Sequence, residues 1–156
     1  MAPLTRTQLL AGKAVACFSA IVALEVLIIL VGVVFFRVRP ASPALLSLAG
    51  LSSAAAFVCI MMLAAAAGKT EQAAAGVGWA VMLPLAMLGG GMIPLFLMPS
   101  WLVPASRVSP VRWAILSIEG AVWRGFSIRE MLLPCGILLA VGIVCFAAGT
   151  KLLRTE

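Results

Sequence analysis

The chain has 156 residues, of which 64% are hydrophobic and only 10% charged, with a formal net charge of +6. A soluble domain carries about 25% charged residues, so this composition excludes an ordinary water-soluble fold and places the protein in lipid. The eleven Lys and Arg sit singly or in pairs at the ends of apolar runs rather than on one face among aromatics. That pattern anchors membrane spans and argues against nucleic-acid binding.

The sequence predicts an all-α integral membrane protein made of one transmembrane domain, 1–156, with four spans. Each needs about 20 apolar residues to cross the hydrocarbon, and each must be helical to satisfy its own backbone there. Residues 1–13 form a lead-in, and the first span runs over 14–36, interrupted only by Glu25. Its length exceeds the apolar core of a cleaved signal peptide, so it reads as a permanent span. The second span is 45–67, entered through the turn RPASPA and ended by Gly68-Lys69. The third is 73–95, containing Pro84 and the triple glycine Gly89-Gly90-Gly91. The fourth is 131–149, followed by Lys151 and Arg154.

Between the third and fourth spans, residues 97–130 are too polar and proline-broken to cross, yet too apolar for a solvated loop. Ser109-Pro110 reads as a helix start, a capping serine followed by proline at the first helical position. That helix should run to about Trp123 and stop at Gly125. It either lies at the membrane surface or re-enters it, or else packs as a loop on the protein's own spans. Trp101, Trp113 and Trp123 suit the interface between lipid and water.

The stretch Gly68-Lys69-Thr70 matches the end of the phosphate-binding loop G-x-x-x-x-G-K-[ST], but Leu63 stands where its first glycine belongs. Four alanines fill the middle, where the motif needs a flexible chain around the phosphates. The stretch therefore reads as a helix stop and polar turn. The chain contains no His, Asp, Asn or Tyr. No Ser-His-Asp or Cys-His catalytic site can be assembled from it, nor a histidine zinc site or an aspartate magnesium site. We expect no catalytic residues and no metal. Cys17, Cys59, Cys135 and Cys145 all fall in apolar runs without CxxC spacing and read as small apolar residues. Basic residues leave the orientation open: five lie on the side of the termini and six on the other.

Gly89 to Gly91, Pro94, Met98-Pro99-Ser100-Trp101 and Pro110-Val111-Arg112-Trp113-Ala114 occur in that order before the last span. The block resembles the permease subunits of type-2 ATP-binding-cassette (ABC) exporters, and Ala2 to Lys13 looks like the cytoplasmic stretch leading into that family's third span. The resemblance covers essentially the whole chain, which corresponds to the last four of six spans. It would make the chain a fragment, a truncated reading frame or one half of a split permease.

The resemblance implies a bacterial inner-membrane location, cytoplasmic termini, and an outer gate region between Leu97 and Glu130 with short helices dipping into the membrane. It also implies a separate ATPase subunit that holds the ATP, and a second permease copy, with membrane lipid around both. Arg6 and Lys13 would lie near the ATPase contact, or simply anchor the span end. Pro84, Gly89, Gly90, Gly91, Pro94 and Pro99 would form a hinge or gate element, or simply terminate and pack the third helix. Glu25, where the family shows no acid, would line the substrate path or serve as a protonated packing residue. Two other classes stay open, half of a secondary transporter and a non-transporting scaffold or remnant.

Overall fold

A computed structural model describes residues 6–68 and 70–154, with side chains placed for 11–68 and 70–152. Four long helices carry the fold: α1 (Arg6–Phe36), α2 (Pro43–Ala67), α3 (Glu71–Gly89) and, after two short helices, α6 (Ile128–Arg154). All four are long and apolar enough to cross a membrane. Between α3 and α6 lie a 3-10 turn (Leu95–Leu97), α4 (Leu102–Ala105), a second 3-10 turn (Ser106–Val108) and α5 (Pro110–Glu119), which continues into a π-turn at Gly120–Arg124.

Local chemistry sets the ends. Ser42 caps α2, its hydroxyl accepting from the Leu45 N–H, and Pro43 occupies the first position. Thr70 caps α3 in the same way through the Ala73 N–H at 3.1 Å. Ser127 and Glu130 form a reciprocal cap at the start of α6, with Glu130 Oε2 accepting from the Ser127 N–H at 2.8 Å. Gly68 ends α2 without a left-handed turn (φ −96°). Glycine serves there because a Cβ would run into the backbone of Ala74, where α3 turns back. Arg37, in contrast, holds a left-handed φ of 53° as α1 closes.

α2 is the central helix. Nine of its residues are buried, from Leu46 to Ala64, and it packs against α1, α3, α5 and most extensively α6. Small residues allow this. Ala49, Ala54 and Ala56 are fully buried, while a Cβ on Gly142 of α6 would come 3.3 Å from the Ala56 Cα. In lipid, where apolar helices gain little by leaving the solvent, such close backbone approach is what holds spans together. Ser52 and Ser53, also buried, donate to the Ala49 carbonyl at 3.0 and 2.7 Å, so no hydroxyl is left unpaired. α1 differs: its spanning window has no buried residue, and its chief neighbour is α2.

The third helix departs from its expected extent. It stops at Gly89, where the apolar run continues to Leu95. Gly90 takes a left-handed φ of 91°, and Gly90 and Gly91 both turn their N–H groups back to the Ala86 carbonyl. The apolar run continues past the helix on a segment whose Met92, Ile93, Phe96 and Leu97 are exposed.

Candidate functional site

The densest convergence of sequence-predicted site residues is the junction between the end of α3 and the start of α5. A Cβ on Gly89 would lie 2.6 Å from Val111 Cβ, 2.7 Å from Ser109 Oγ and 2.8 Å from the Arg112 nitrogen. Two backbones therefore meet there with no room for a side chain. Ser109 is buried and works twice. Its hydroxyl donates to the Leu85 carbonyl at 2.6 Å and accepts from the Val111 N–H at 3.2 Å, capping α5. Gly91 is less tight, with Val111 Cγ1 and the Ala86 carbonyl each 3.3 Å from where its Cβ would be.

Pro94 and Pro99 shape the descent between the two helices. Pro94 precedes the first 3-10 turn, and the Pro99 carbonyl accepts from the Leu102 N–H at 2.9 Å. Pro84 lies inside α3, which is one continuous helix through it. The descending segment is fastened to α5 by polar side chains. The Arg112 guanidinium donates to the Val103 carbonyl at 3.0 Å and to the Ser106 hydroxyl, while Trp113 Nε1 donates to the Arg107 carbonyl at 2.8 Å. A guanidinium satisfied this way can sit half-buried among apolar helices.

α5 then climbs along α2. Ala114 packs with Ala56 and Leu138, halfway along the spans, and Ala121 packs with Leu46 and Met131 near their starts. At the top the Ala41 and Ser42 N–H groups donate to the Val122 and Ala121 carbonyls at 3.1 and 3.2 Å. Gly125 ends the segment in a left-handed turn (φ 64°), as its sequence position suggested. Arg124 pairs with Glu119 at 2.7 Å, and Phe126 folds back against Gly120. So the segment packs on the protein's own spans, reaching α2 and α6 about halfway along their length. Trp101 and Trp123 remain exposed.

Beside this junction an apolar groove of about 350 Å³ opens between α2, α3 and α6. Ile60 and Leu63 of α2, Val77 and Val81 of α3, Pro110 and Val141 form its walls. No polar side chain lines it, so among the described residues it offers shape and apolar surface but no hydrogen bonds.

Glu25 lies elsewhere, on the contact between α1 and α2. Its carboxyl rests against Gly50, where a Cβ would come within 2.8 Å of Oε2. It is half-buried, and no hydrogen bond or ion pair reaches it among the described residues. The α3–α5 junction and Glu25 thus belong to separate interfaces. Lys13 is exposed on α1; the Arg6 side chain falls outside the described residues.

Sequence reasoning did not pick out Gly50, Gly142 or Gly149, nor the bond from Ser109 to Leu85. Gly142 and Gly149 carried a usable signal, two glycines seven residues apart, which places them on one helix face. The Ser109 bond carried none, because it joins residues 24 apart through a fold that must already exist.

Four helices long and apolar enough to span, with a short-helix insertion, define a polytopic integral membrane protein. The chain belongs to the ABC-2 type transporter family, whose model matches residues 1–123. It is similar to the linearmycin resistance permease protein LnrN of Bacillus subtilis (strain 168), with 29% identity over 97 residues, 62% of this chain and 25% of LnrN. The chain thus spans about a quarter of the length of that curated relative. No solved structure matches it.

Proposed function

We propose that this chain is membrane-spanning permease machinery of an ABC exporter, moving its cargo outward when a separate ATPase subunit binds and hydrolyses ATP. The observation that carries this reading is family membership over 1–123, a stretch that includes the α3–α5 junction. The exposed apolar surface of α1 supports assembly with more membrane-embedded protein, either a second permease copy or further spans, with lipid over the remainder. On this reading the protein resides in the bacterial inner membrane with cytoplasmic termini. The turn at Gly68 and Thr70 then faces the cytoplasm, and the α3–α5 junction belongs to the outer half.

The mechanism follows from which contacts are bistable. Closure of the ATPase pair would push on α1 near Arg6 and Lys13, and α2 would transmit the displacement through its packing. Gly89 to Gly91, Pro84, Pro94 and Pro99 would serve as the hinge on which the short helices tilt, since the left-handed backbone at Gly90, its flanking glycines and the prolines concentrate bending there. Glu25 would face the cargo path only if α1 moves relative to α2. The apolar groove suits an apolar or amphipathic cargo better than a hydrophilic one. ATP would bind on the partner, and this chain would need no cofactor of its own.

Purification of the protein from native membranes tests the reading. The expected result is an associated ATPase with a complete phosphate-binding loop, and reconstituted vesicles that extrude cargo only with ATP. Linearmycin, taken from the relative's name, is the first cargo to try. Recovery from native membranes with no ATPase under mild detergent, together with ATP-independent transport, would overturn it.

A further inference from the structure

The apolar groove beside the α3–α5 junction ends next to an unpaired cation. Val77, Val81 and Leu85 line it at four-residue steps along one face of α3, about 12 Å of helix rise. α2 runs back along them to Ala67, and Val108 and Pro110 close the Leu85 end, where Ser109 bonds the Leu85 carbonyl. The volume of about 350 Å³ stands at the low end of the roughly 300–1,000 Å³ range of small-molecule pockets. Spread along two turns of helix, it is a slot for one hydrocarbon chain. Val108 is itself 81% exposed, so the slot opens outward at that end.

Arg107 stands one residue from this mouth. It is exposed, and no ion pair or hydrogen bond reaches its guanidinium among the described residues. Arg112 differs, since its guanidinium is spent on the Val103 carbonyl and the Ser106 hydroxyl. The Trp113 Nε1 bond to the Arg107 carbonyl fixes the backbone from which the unpaired cation extends. Leu85 and Val141, which line the slot, are interior to their spans. A permanent cation at that depth calls for a counter-charge.

We propose that the groove and Arg107 together bind a single-chain fatty carboxylate, its alkyl chain lying along α3 and its carboxylate paired with Arg107. Each half of the site asks for one half of the ligand. The walls offer apolar contact without hydrogen bonds, and the planar guanidinium fork matches a carboxylate through two parallel bonds. A neutral amphiphile of the same length would leave Arg107 unpaired, and an anionic phospholipid brings two chains to a slot for one. The proposal rests on the permease reading only in narrowing its cargo class. Binding is read without ATPase or ATP, so failure here and failure of the export reading are separate results.

The full chain in phosphatidylcholine nanodiscs is photolabelled with palmitic acid carrying a mid-chain diazirine, at about pH 8 where the carboxyl is ionised. Labelled peptides should map to the groove walls on α2, α3 and α6. Palmitate should displace the label at a concentration at least about tenfold lower than hexadecanol, the worth of a charge-assisted pair, and dipalmitoyl phosphatidic acid should displace it poorly. Arg107→Gln should weaken palmitate about tenfold and leave hexadecanol unchanged. Lys151→Gln, an exposed cation at the far end of the spans, should change neither. Val81→Trp should block labelling by filling the slot, with thermal unfolding reporting that each variant keeps its fold. Labelling that maps outside the groove, equal competition by palmitate and hexadecanol, or unchanged palmitate affinity in Arg107→Gln overturns the proposal. Phosphatidic acid competing as well as palmitate overturns the single-chain assignment.

Discussion

The Ser109 hydroxyl donates to the Leu85 carbonyl at 2.6 Å while accepting from the Val111 N–H, so one buried oxygen joins α3 to α5 and starts α5 at the same time. Ser109→Ala removes both bonds and should cost about 1–3 kcal/mol, the range for a lost cap plus a lost buried hydrogen bond. Thr70→Ala removes an exposed cap at the other end of α3 and should cost about 1 kcal/mol or less. Thermal unfolding in detergent ranks the two. Limited proteolysis between residues 95 and 109 should accelerate in Ser109→Ala alone, and equal cleavage in both variants would contradict the assigned role.

Glycine substitutions in α3 and its terminus should separate by geometry. Gly89→Ala drives a Cβ into the backbone nitrogen of Arg112 at 2.8 Å, and overpacking against groups that cannot rotate away costs about 1–3 kcal/mol. Gly90→Ala meets the left-handed strain of φ 91°, about 1 kcal/mol. Gly76 has nothing within 4 Å of its Cβ position, so Gly76→Ala should stabilise by about 0.5–1 kcal/mol through helix propensity. Unfolding midpoints falling in any other order would refute this ranking. If the hinge proposal holds, Gly89→Ala also slows export more than its destabilisation explains.

Much of this junction was legible in advance, and the reason is local. Ser109-Pro110 and Gly125 announce a helix start and stop through chemistry contained within a few residues. The four spans were legible because apolar length alone specifies them. The third overran because hydropathy does not report where a helix stops: Met92 and Ile93 are apolar yet exposed and non-helical, and only Gly90's left-handed backbone marks the true end. Glu25 was conspicuous as a mid-span acid, but its neighbour Gly50 was not, since a glycine in an alanine-rich span gives no sign of what leans on it.

The α2–α6 seam should be intolerant at one glycine and permissive at another on the same helix. Gly142→Val places bulk on Ala56 Cα, 3.3 Å from the Cβ position, and should cost about 1–3 kcal/mol by forcing the spans apart. Gly136, with nothing within 4 Å, should accept alanine with no loss or a small gain. Detergent unfolding of both checks the contrast.

Gly50→Ala should be mild despite the 2.8 Å approach of Glu25 Oε2, because that oxygen ends a rotatable side chain that can swing aside. A change below about 1 kcal/mol is expected. Gly50→Leu should instead lever α1 off α2 and lower the unfolding midpoint. Glu25→Leu should raise the inserted fraction of an isolated α1 segment, since a mid-bilayer charge costs about 2.5–3.5 kcal/mol on insertion scales.

The far end of the inserted segment is tied to the residues just before α2 by peptide groups: the Ala41 and Ser42 N–H groups meet two carbonyls that the closing π-turn leaves over. Such a fastening is indifferent to side-chain identity. The strap itself therefore asks for no particular side chain at residue 41, whereas Ser42 is held by its second duty as the cap of α2 and Ala121 by its burial against Leu46 and Met131.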